Sequence, residues 1–143
     1  MNATMEKFGY PDTLIREDEH WVVLLRPQQV TLGALVLICK EDADALSSIS
    51  VEAFSELKII TTVIESSLKE CFEYDKINYL MLMMIDPDVH FHILPRYATV
   101  RIWGDAEFTD SGWPGPPDLS QANHVGEAVM QLIQKTIKEV FCS

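Results

Sequence analysis

The chain has 143 residues, a formal net charge of −11 and three cysteines. A chain of this length forms one ordinary domain with its own hydrophobic core, and we expect a single domain over residues 1–143. The negative net charge argues against binding to a nucleic-acid backbone, because such binding depends on lysine and arginine side chains that neutralise phosphates.

The cysteines and the N-terminal segment bear on the cellular compartment of the protein. Cys39, Cys71 and Cys142 are odd in number and widely spaced, so they form no paired motif typical of zinc or redox sites. The N-terminus has no basic start followed by an apolar run, and no apolar run reaches the length of a membrane span. We therefore expect a soluble, cytoplasmic protein that binds neither nucleic acid nor membrane.

The first half of the chain predicts three strands and a long helix. Apolar runs over residues 13–18 and 21–25 flank a polar turn, which indicates an N-terminal hairpin. Residues 32–39 predict a further strand. From Ser50, a typical N-cap, apolar residues recur at helical spacing to about Tyr74. We expect this to be the main helix packed on the sheet.

The next run, residues 78–85, is continuously apolar and predicts a strand at the centre of the sheet, with its methionines in the core. Residues 86–87 predict a tight turn into a second strand, which begins at Asp88 and which Pro95 should end because proline cannot donate a ladder hydrogen bond. The two strands would form an antiparallel hairpin.

The last part of the chain predicts a loop and a helix. Residues 111–117 contain three prolines and two glycines, which exclude a helix or a central strand. An amphipathic helix follows, entered at about Ser120. The pattern as a whole predicts an α+β domain with an antiparallel sheet, a core over about 10–103, and the loop and C-terminal helix over 104–143.

Residues 88–96 carry most of the chemical information and read Asp-Val-His-Phe-His-Ile-Leu-Pro-Arg. Side chains alternate across a strand, so Asp88, His90 and His92 share one face and the apolar residues between them face the core. A neutral imidazole can attack an electrophilic phosphorus atom, and a protonated one can donate to phosphate oxygens. Two neighbouring histidines can divide these roles.

This motif resembles the signature of the histidine triad (HIT) family, in which three histidines alternate with apolar residues before Pro-Arg. By this alignment His90 falls on the family's central histidine and His92 on its last, whereas Asp88 replaces the first. The element order upstream, from His20 through Leu37, also resembles that family. The resemblance covers roughly residues 10–103, and only the nine-residue motif is highly specific.

The resemblance implies a nucleotide hydrolase or nucleotidyl transferase that needs no cofactor. His90 would attack the α-phosphate and form a nucleotidyl-histidine intermediate that water later breaks, while His92 contacts the phosphate and assists the leaving group. Asp88, Arg26 and Arg96 are the expected substrate-binding residues. Dinucleoside polyphosphates and nucleoside phosphoramidates are examples of such substrates. The resemblance also implies a homodimer whose sheets join into one, with the site near the subunit interface.

Two departures from the family pattern leave alternatives open. The Asp88 carboxylate would favour the imidazolium form of His90, and a connection of only residues 86–87 would remove part of the expected phosphate cradle. The chain could therefore be a nucleotide-binding protein with little or no turnover. A metal site is a further alternative, in which His20 or His124 completes a shell begun by the motif side chains.

Overall fold

The computed structural model describes residues 1–143 and has an antiparallel five-stranded sheet as its centre, in the strand order β1-β2-β3-β5-β4. The sheet strands are β1 (Leu14–Glu17), β2 (Trp21–Leu25), β3 (Leu35–Cys39), β4 (Lys76–Leu80) and β5 (His90–Arg96). The helices are α1 (Ala3–Lys7), α2 (Val51–Phe72) and α3 (Glu127–Phe141), and a separate ribbon is formed by β6 (Arg101–Trp103) and β7 (Ala106–Phe108). The fold is the predicted α+β class. None of the helices combines the length and apolar character needed to cross a membrane.

The N-terminal hairpin and the main helix are confirmed. β1 and β2 pair antiparallel across the polar turn. The Ser50 hydroxyl accepts a hydrogen bond from the N–H of Ala53 at 3.0 Å, which caps α2 at the expected residue. Glu73 ends the helix in the left-handed conformation.

The sheet is covered on both faces, which explains why β2 and β3 are apolar at every position. Alternate residues enter a large core on the side of α2 and α3, which contains Val23 and Leu37. The residues between them enter a smaller cluster on the opposite face, under α1. Its members are Met5, Phe8, Val22, Leu24, Val36 and Ile38.

The prediction that residues 78–85 form a central strand is wrong. β4 stops at Leu80 and lies at the edge of the sheet, with β5 as its only partner. The chain then leaves the sheet, and the side chains of Met84 and Ile85 are 87% and 86% exposed. Met81 and Met83 pack against the core as expected, whereas Met84 does not. The predicted tight turn at residues 86–87 is likewise wrong, because residues 81–89 form a long loop.

Pro95 does not end the ladder. It lies opposite Ile77, and Arg96 lies opposite Lys76. The Val89 carbonyl accepts a hydrogen bond from the Cys39 N–H in β3, and the Arg96 carbonyl accepts one from the Asp75 N–H beside β4. The main-chain N–H and C=O groups of odd-numbered residues in β5 therefore point toward β3, and those of even-numbered residues point toward β4. The pairing with β3 ends two residues earlier, at Ile93. The proline nitrogen therefore points to a side without a strand, where its missing N–H costs no ladder bond.

α3 begins at Glu127 and not at about Ser120. Ser120 donates from its N–H and its hydroxyl to Asp118, which makes a local turn, and Asn123 binds the carbonyls of Gln29 and Thr109. These contacts hold the segment out of helical conformation. α1, β6 and β7 were not predicted, because elements of three to five residues are too short to carry a periodic pattern.

Candidate active site

The two motif histidines lie on the face of β5 that α1 covers. His90 and His92 are only 2% and 6% exposed, and their ring centroids are 5.2 Å apart. The Phe8 ring packs edge-on against His92 at 5.7 Å. Val89 and Ile93 face the opposite side and join the large core, so the predicted alternation of the motif is confirmed for these residues. Phe91 is half-buried on that side, against Trp21.

A main-chain carbonyl fixes the ring of His90. Nδ1 lies 2.6 Å from the carbonyl oxygen of Asp88. Because a carbonyl can only accept, Nδ1 carries the proton, and Nε2 of the neutral ring keeps its lone pair. Nε2 makes no hydrogen bond within the chain and is not among the enclosed polar atoms, so it stays open to the pocket that His90 lines. This is the geometry that a nitrogen nucleophile needs.

His92 is held in its neutral form. Burial is the largest cause, and the positive charges of Arg26 and of a protonated His90 add to it; together they lower the pKa of His92 from 6.5 to about 4. Its Nδ1 is enclosed without a hydrogen-bond partner, whereas Nε2 retains accessible surface. At neutral pH the uncharged ring can therefore form a hydrogen bond with a ligand through Nε2.

Arg26 brings a positive charge to the same place. It is 7% exposed, donates to the carbonyl of Gln28 at 2.8 Å, and has no carboxylate partner. Its Nε is enclosed and unpaired, and burial lowers the pKa of its guanidinium. A buried cation without a counter-ion destabilises the folded protein, and a bound anion would offset that cost.

The position of Arg26 is set by a tight turn over residues 26–34. The Arg26 N–H donates to the Ala34 carbonyl at 3.0 Å. The buried amide of Gln29 donates to the carbonyls of Arg26 and Ala34 and accepts from the N–H of Gly33, so one side chain ties the turn together. Gly33 has a φ of 85°, which glycine adopts without a steric penalty.

The loop before β5 completes the pocket. The main-chain N–H groups of residues 82–86 donate no hydrogen bond to the rest of the chain, and Met83 bends the loop with a φ of 50°. Successive free N–H groups at such a bend form concavities that attract anions. The pocket has a volume of about 230 Å³ and is lined by Lys7, Phe8, Arg26, Gln28, residues 82–86, His90 and His92. Its volume is below the lower limit of about 300 Å³ for pockets that enclose drug-sized ligands.

Comparison with known proteins identifies the family. The family model of the HIT domain matches residues 7–99, which is more than half of the chain. The chain belongs to the HIT family. Members of this family are in general nucleotide-binding hydrolases or transferases. A search among curated protein sequences gives no match.

Solved HIT structures share the fold over almost the whole length. A histidine triad protein from Sinorhizobium meliloti 1021 is 20% identical, with a TM-score of 0.76 and coverage of 97% of this chain and 94% of that one. One from Bradyrhizobium japonicum is also 20% identical, with a TM-score of 0.76 and coverage of 99% and 96%. One from Marinobacter aquaeolei VT8 is 18% identical, with a TM-score of 0.75 and coverage of 99% and 94%.

Asp88 lies two residues before His90, and its side chain contacts α1, the helix that covers the face of His90 and His92. Its carboxylate accepts from the hydroxyl of Thr4 at 2.8 Å and from the Thr4 N–H at 3.3 Å. This contact agrees with the expectation that Asp88 shares the face of His90 and His92, but the carboxylate makes no hydrogen bond to either ring. The alignment of Asp88 with the first histidine of the HIT motif stays a prediction.

Arg96 lies away from the pocket. Its guanidinium donates to Asp110 through Nε at 2.6 Å and NH2 at 3.0 Å, to Asn78 through NH1, and to the Gly115 carbonyl. Both partners of the ion pair are buried. These contacts hold the proline-containing loop to β5, and a contact between Arg96 and substrate stays a prediction.

The sequence did not point to the N-terminal part of the pocket. Lys7 pairs with Asp86 at 2.8 Å across its mouth, and Phe8 covers the histidines. The only local signal was Asn2, a good N-cap, which accepts from the Met5 N–H. The side chains proposed for a metal shell do not assemble, since no group of three or more His, Cys, Asp or Glu side chains is placed to hold an ion.

Proposed function

We propose that this protein hydrolyses or transfers nucleotides through a nucleotidyl intermediate on His90, acting at the α-phosphate of substrates such as dinucleoside polyphosphates or nucleoside phosphoramidates. The observation that carries the proposal is the hydrogen bond from His90 Nδ1 to the Asp88 carbonyl, together with an Nε2 that is open to the pocket. The contact fixes both the tautomer and the direction of the lone pair. HIT membership supports the same reaction class.

In the first step the Nε2 lone pair of His90 forms a bond to the α-phosphorus, and the bond from phosphorus to the leaving oxygen or nitrogen breaks. A leaving phosphate departs as the anion, whereas a leaving nitrogen takes up a proton from solvent and departs as ammonia or an amine. In the second step water attacks the same phosphorus, the N–P bond breaks, and a nucleoside monophosphate leaves with the neutral imidazole restored. The proton of the attacking water passes to solvent or to a phosphate oxygen. No metal or cofactor is needed for either step.

His92 contacts the phosphate and assists the leaving group in this proposal. Its enclosed Nδ1 has no donor or acceptor nearby, so the neutral tautomer with the proton on Nε2 avoids burying an unpaired N–H. That Nε2–H can donate to a phosphate oxygen or to the departing atom. The low pKa of His92 keeps it in this state at neutral pH.

The negative charge of the substrate would be met by Arg26 and by the free N–H groups of residues 82–86. Arg26 lacks a carboxylate partner, and a phosphate would supply the missing counter-ion. The arrangement acts at short range, which suits a protein whose net charge of −11 repels anions at a distance. We propose Arg26 as a substrate-binding residue.

We further propose that the working unit is a homodimer joined at β4. This strand has one free edge in the chain, and an uncovered edge is a template for pairing with another strand. The exposed apolar side chains of Leu82, Met84 and Ile85 follow it directly. Because Leu82, Met84 and Ile85 also line the pocket, such a dimer would place the two sites beside the interface.

The proposed activity is tested with diadenosine polyphosphate and adenosine phosphoramidate. Purified protein and a His90→Ala variant are incubated with each compound, and released AMP is quantified over time. His124→Ala is the matched control, because His124 is exposed and lies outside the pocket. AMP release that His90→Ala abolishes and His124→Ala retains supports the enzyme. Equal AMP release by His90→Ala and the native protein would overturn the mechanism. If the native protein and both variants bind AMP but none of them releases it from the substrates, the chain is a nucleotide-binding protein without turnover.

A further inference from the structure

We propose that Asp88 is a positioning residue whose carboxylate holds α1 against the pocket, so that Lys7 and Phe8 form one of its walls. The relevance to substrate rests on the proposed nucleotide-binding function. The anchoring itself rests on contacts within the chain. The Asp88 side chain thus acts on the N-terminal helix and not on the phosphate.

The first observation is the pair of hydrogen bonds between Asp88 and Thr4. Thr4 is the second residue of α1, where a helix leaves its N–H without an acceptor inside the helix. The Asp88 carboxylate supplies that acceptor and also takes the hydroxyl of the same residue. Thr4 is buried and Asp88 is half-buried, so the two bonds are partly shielded from water, and a hydrogen bond to a carboxylate is stronger than one between neutral groups.

The second observation is the length of α1. A helix of five residues does not form alone in water, because nucleation fixes several residues for one hydrogen bond. It must be held by tertiary contacts. Asn2 donates to the Cys39 carbonyl at 3.0 Å, Met5 and Phe8 pack under the sheet, and Lys7 pairs with Asp86. The Lys7 pair is exposed and contributes little, so the polar anchors of α1 are the Asn2 amide at its N-cap and the Asp88 carboxylate at its first turn.

The third observation is that Asp88 meets the nucleophile only through its main chain. The His90 Nδ1 proton goes to the carbonyl of Asp88, which any residue at position 88 would offer. The two functions of the residue can therefore be separated. Loss of the carboxylate should weaken ligand binding, through Lys7 and Phe8, and leave the chemical step of the bound complex nearly unchanged.

The test compares Asp88→Ala with Asp88→Asn, Thr4→Val and the charge-matched control Asp44→Ala, since Asp44 is an exposed loop residue. Hydrogen exchange of residues 3–8 reports the anchoring, and calorimetry with AMP reports binding. In Asp88→Ala we expect faster exchange in α1 and an AMP Kd raised about tenfold, the scale of one charge-assisted hydrogen bond. Asp88→Asn should recover part of both effects because its amide oxygen can still accept from Thr4.

Two further variants separate positioning from a general loss of stability. Lys7→Met should raise the AMP Kd in the native background and have little effect in Asp88→Ala, because the lysine is already displaced there. The double variant with Thr4→Val and Asp88→Ala should bind AMP no more weakly than Asp88→Ala alone. If Asp88 only stabilised the fold, Asp88→Ala would lower the fraction of protein that is folded and able to bind AMP, and the Kd of the folded fraction would not change. The effect of Lys7→Met on Kd would then be the same in the native and the Asp88→Ala backgrounds.

Unchanged exchange of α1 in Asp88→Ala would overturn the inference. So would faster exchange with an unchanged AMP Kd, or an equal change in Asp44→Ala. If the native protein neither binds AMP nor releases it from the two substrates, the proposed function fails. The exchange experiment then decides the anchoring by itself.

Discussion

The Nδ1 atom of His90 and the main-chain carbonyl oxygen of Asp88 lie 2.6 Å apart, while the Asp88 carboxylate bonds Thr4 on another element. The sequence placed a carboxylate near the nucleophile, where it would have favoured the protonated imidazolium form of His90 and removed the attacking lone pair. In the fold the carboxylate makes no hydrogen bond to His90. The orienting contact is a neutral carbonyl, so the imidazole keeps an available lone pair.

His92 makes the stability of the protein depend on pH. The unfolded chain binds a proton on this histidine at its ordinary pKa of 6.5, whereas the folded chain does so only at about 4. The unfolded state therefore holds more protons between these values, and the free energy of unfolding should fall as pH falls from 6.5 to about 4. The loss should be on the order of 2–3 kcal/mol.

Urea unfolding of the native protein and of His92→Gln across this pH range measures that effect. The variant should lose less stability on acidification, while His124→Gln should follow the native curve. Parallel curves for the native protein and His92→Gln would contradict the burial of a neutral imidazole at this position.

Arg26→Met should separate ligand binding from stability. Removing the guanidinium takes away the unpaired buried cation of the pocket, so the AMP Kd should rise by about 10- to 100-fold. The free energy of unfolding should stay constant or increase, because a buried charge without a partner is replaced by a side chain of similar size. Calorimetry and urea unfolding measure the two quantities, with Lys58→Met as a surface control of the same charge change. A stable variant with native AMP affinity would remove Arg26 from the site.

Gly33→Ala should destabilise the protein through the turn that positions Arg26. The backbone there has a φ of 85°, and an added Cβ would lie 2.8 Å from the Phe72 ring. The two effects together should cost about 1–3 kcal/mol. Gly126→Ala is the matched control, because nothing lies within 4 Å of its Cβ position. Equal thermal unfolding of both variants would show that the turn does not require glycine.

Asp110→Ala should test whether Arg96 supports the fold or the ligand. The change leaves a buried guanidinium without its carboxylate, and breaking such a pair costs about 3–5 kcal/mol. If the role of Arg96 is to hold the loop over residues 111–117, the AMP Kd of the folded variant should stay within a few-fold of the native value. A large rise in Kd with little loss of stability would instead favour the sequence-based prediction that Arg96 contacts substrate.

The sequence predicted the parts of the fold that depend on local pattern. The hairpin of β1 and β2, the cap at Ser50 and the alternation around His90 follow from spacing and side-chain type. The edge position of β4 did not follow, because an apolar run looks the same whether its residues are buried by this chain or left on its surface. The long loop before β5 was missed for the same reason.

The site shows a similar division. The pairing of His90 with His92 could be predicted, and Arg26 could be named from the family resemblance. The contact between Thr4 and Asp88 could not, because it joins residues 84 positions apart through a helix too short to be recognised. Lys7 and Phe8 reach the pocket from the end of that helix. Their role is a consequence of tertiary structure and leaves no local pattern.

In the proposed reaction His90 carries the nucleotide between the two steps. The most direct measurement is to mix the protein with diadenosine polyphosphate labelled at the α-phosphate, quench in alkali within the first turnover, and map the label by peptide mass spectrometry. We expect an acid-labile label on the peptide with His90, at the level of one per active chain, and none in His90→Ala. Release of AMP at the native rate with no label on His90, under conditions where a synthetic phosphohistidine survives, would contradict it.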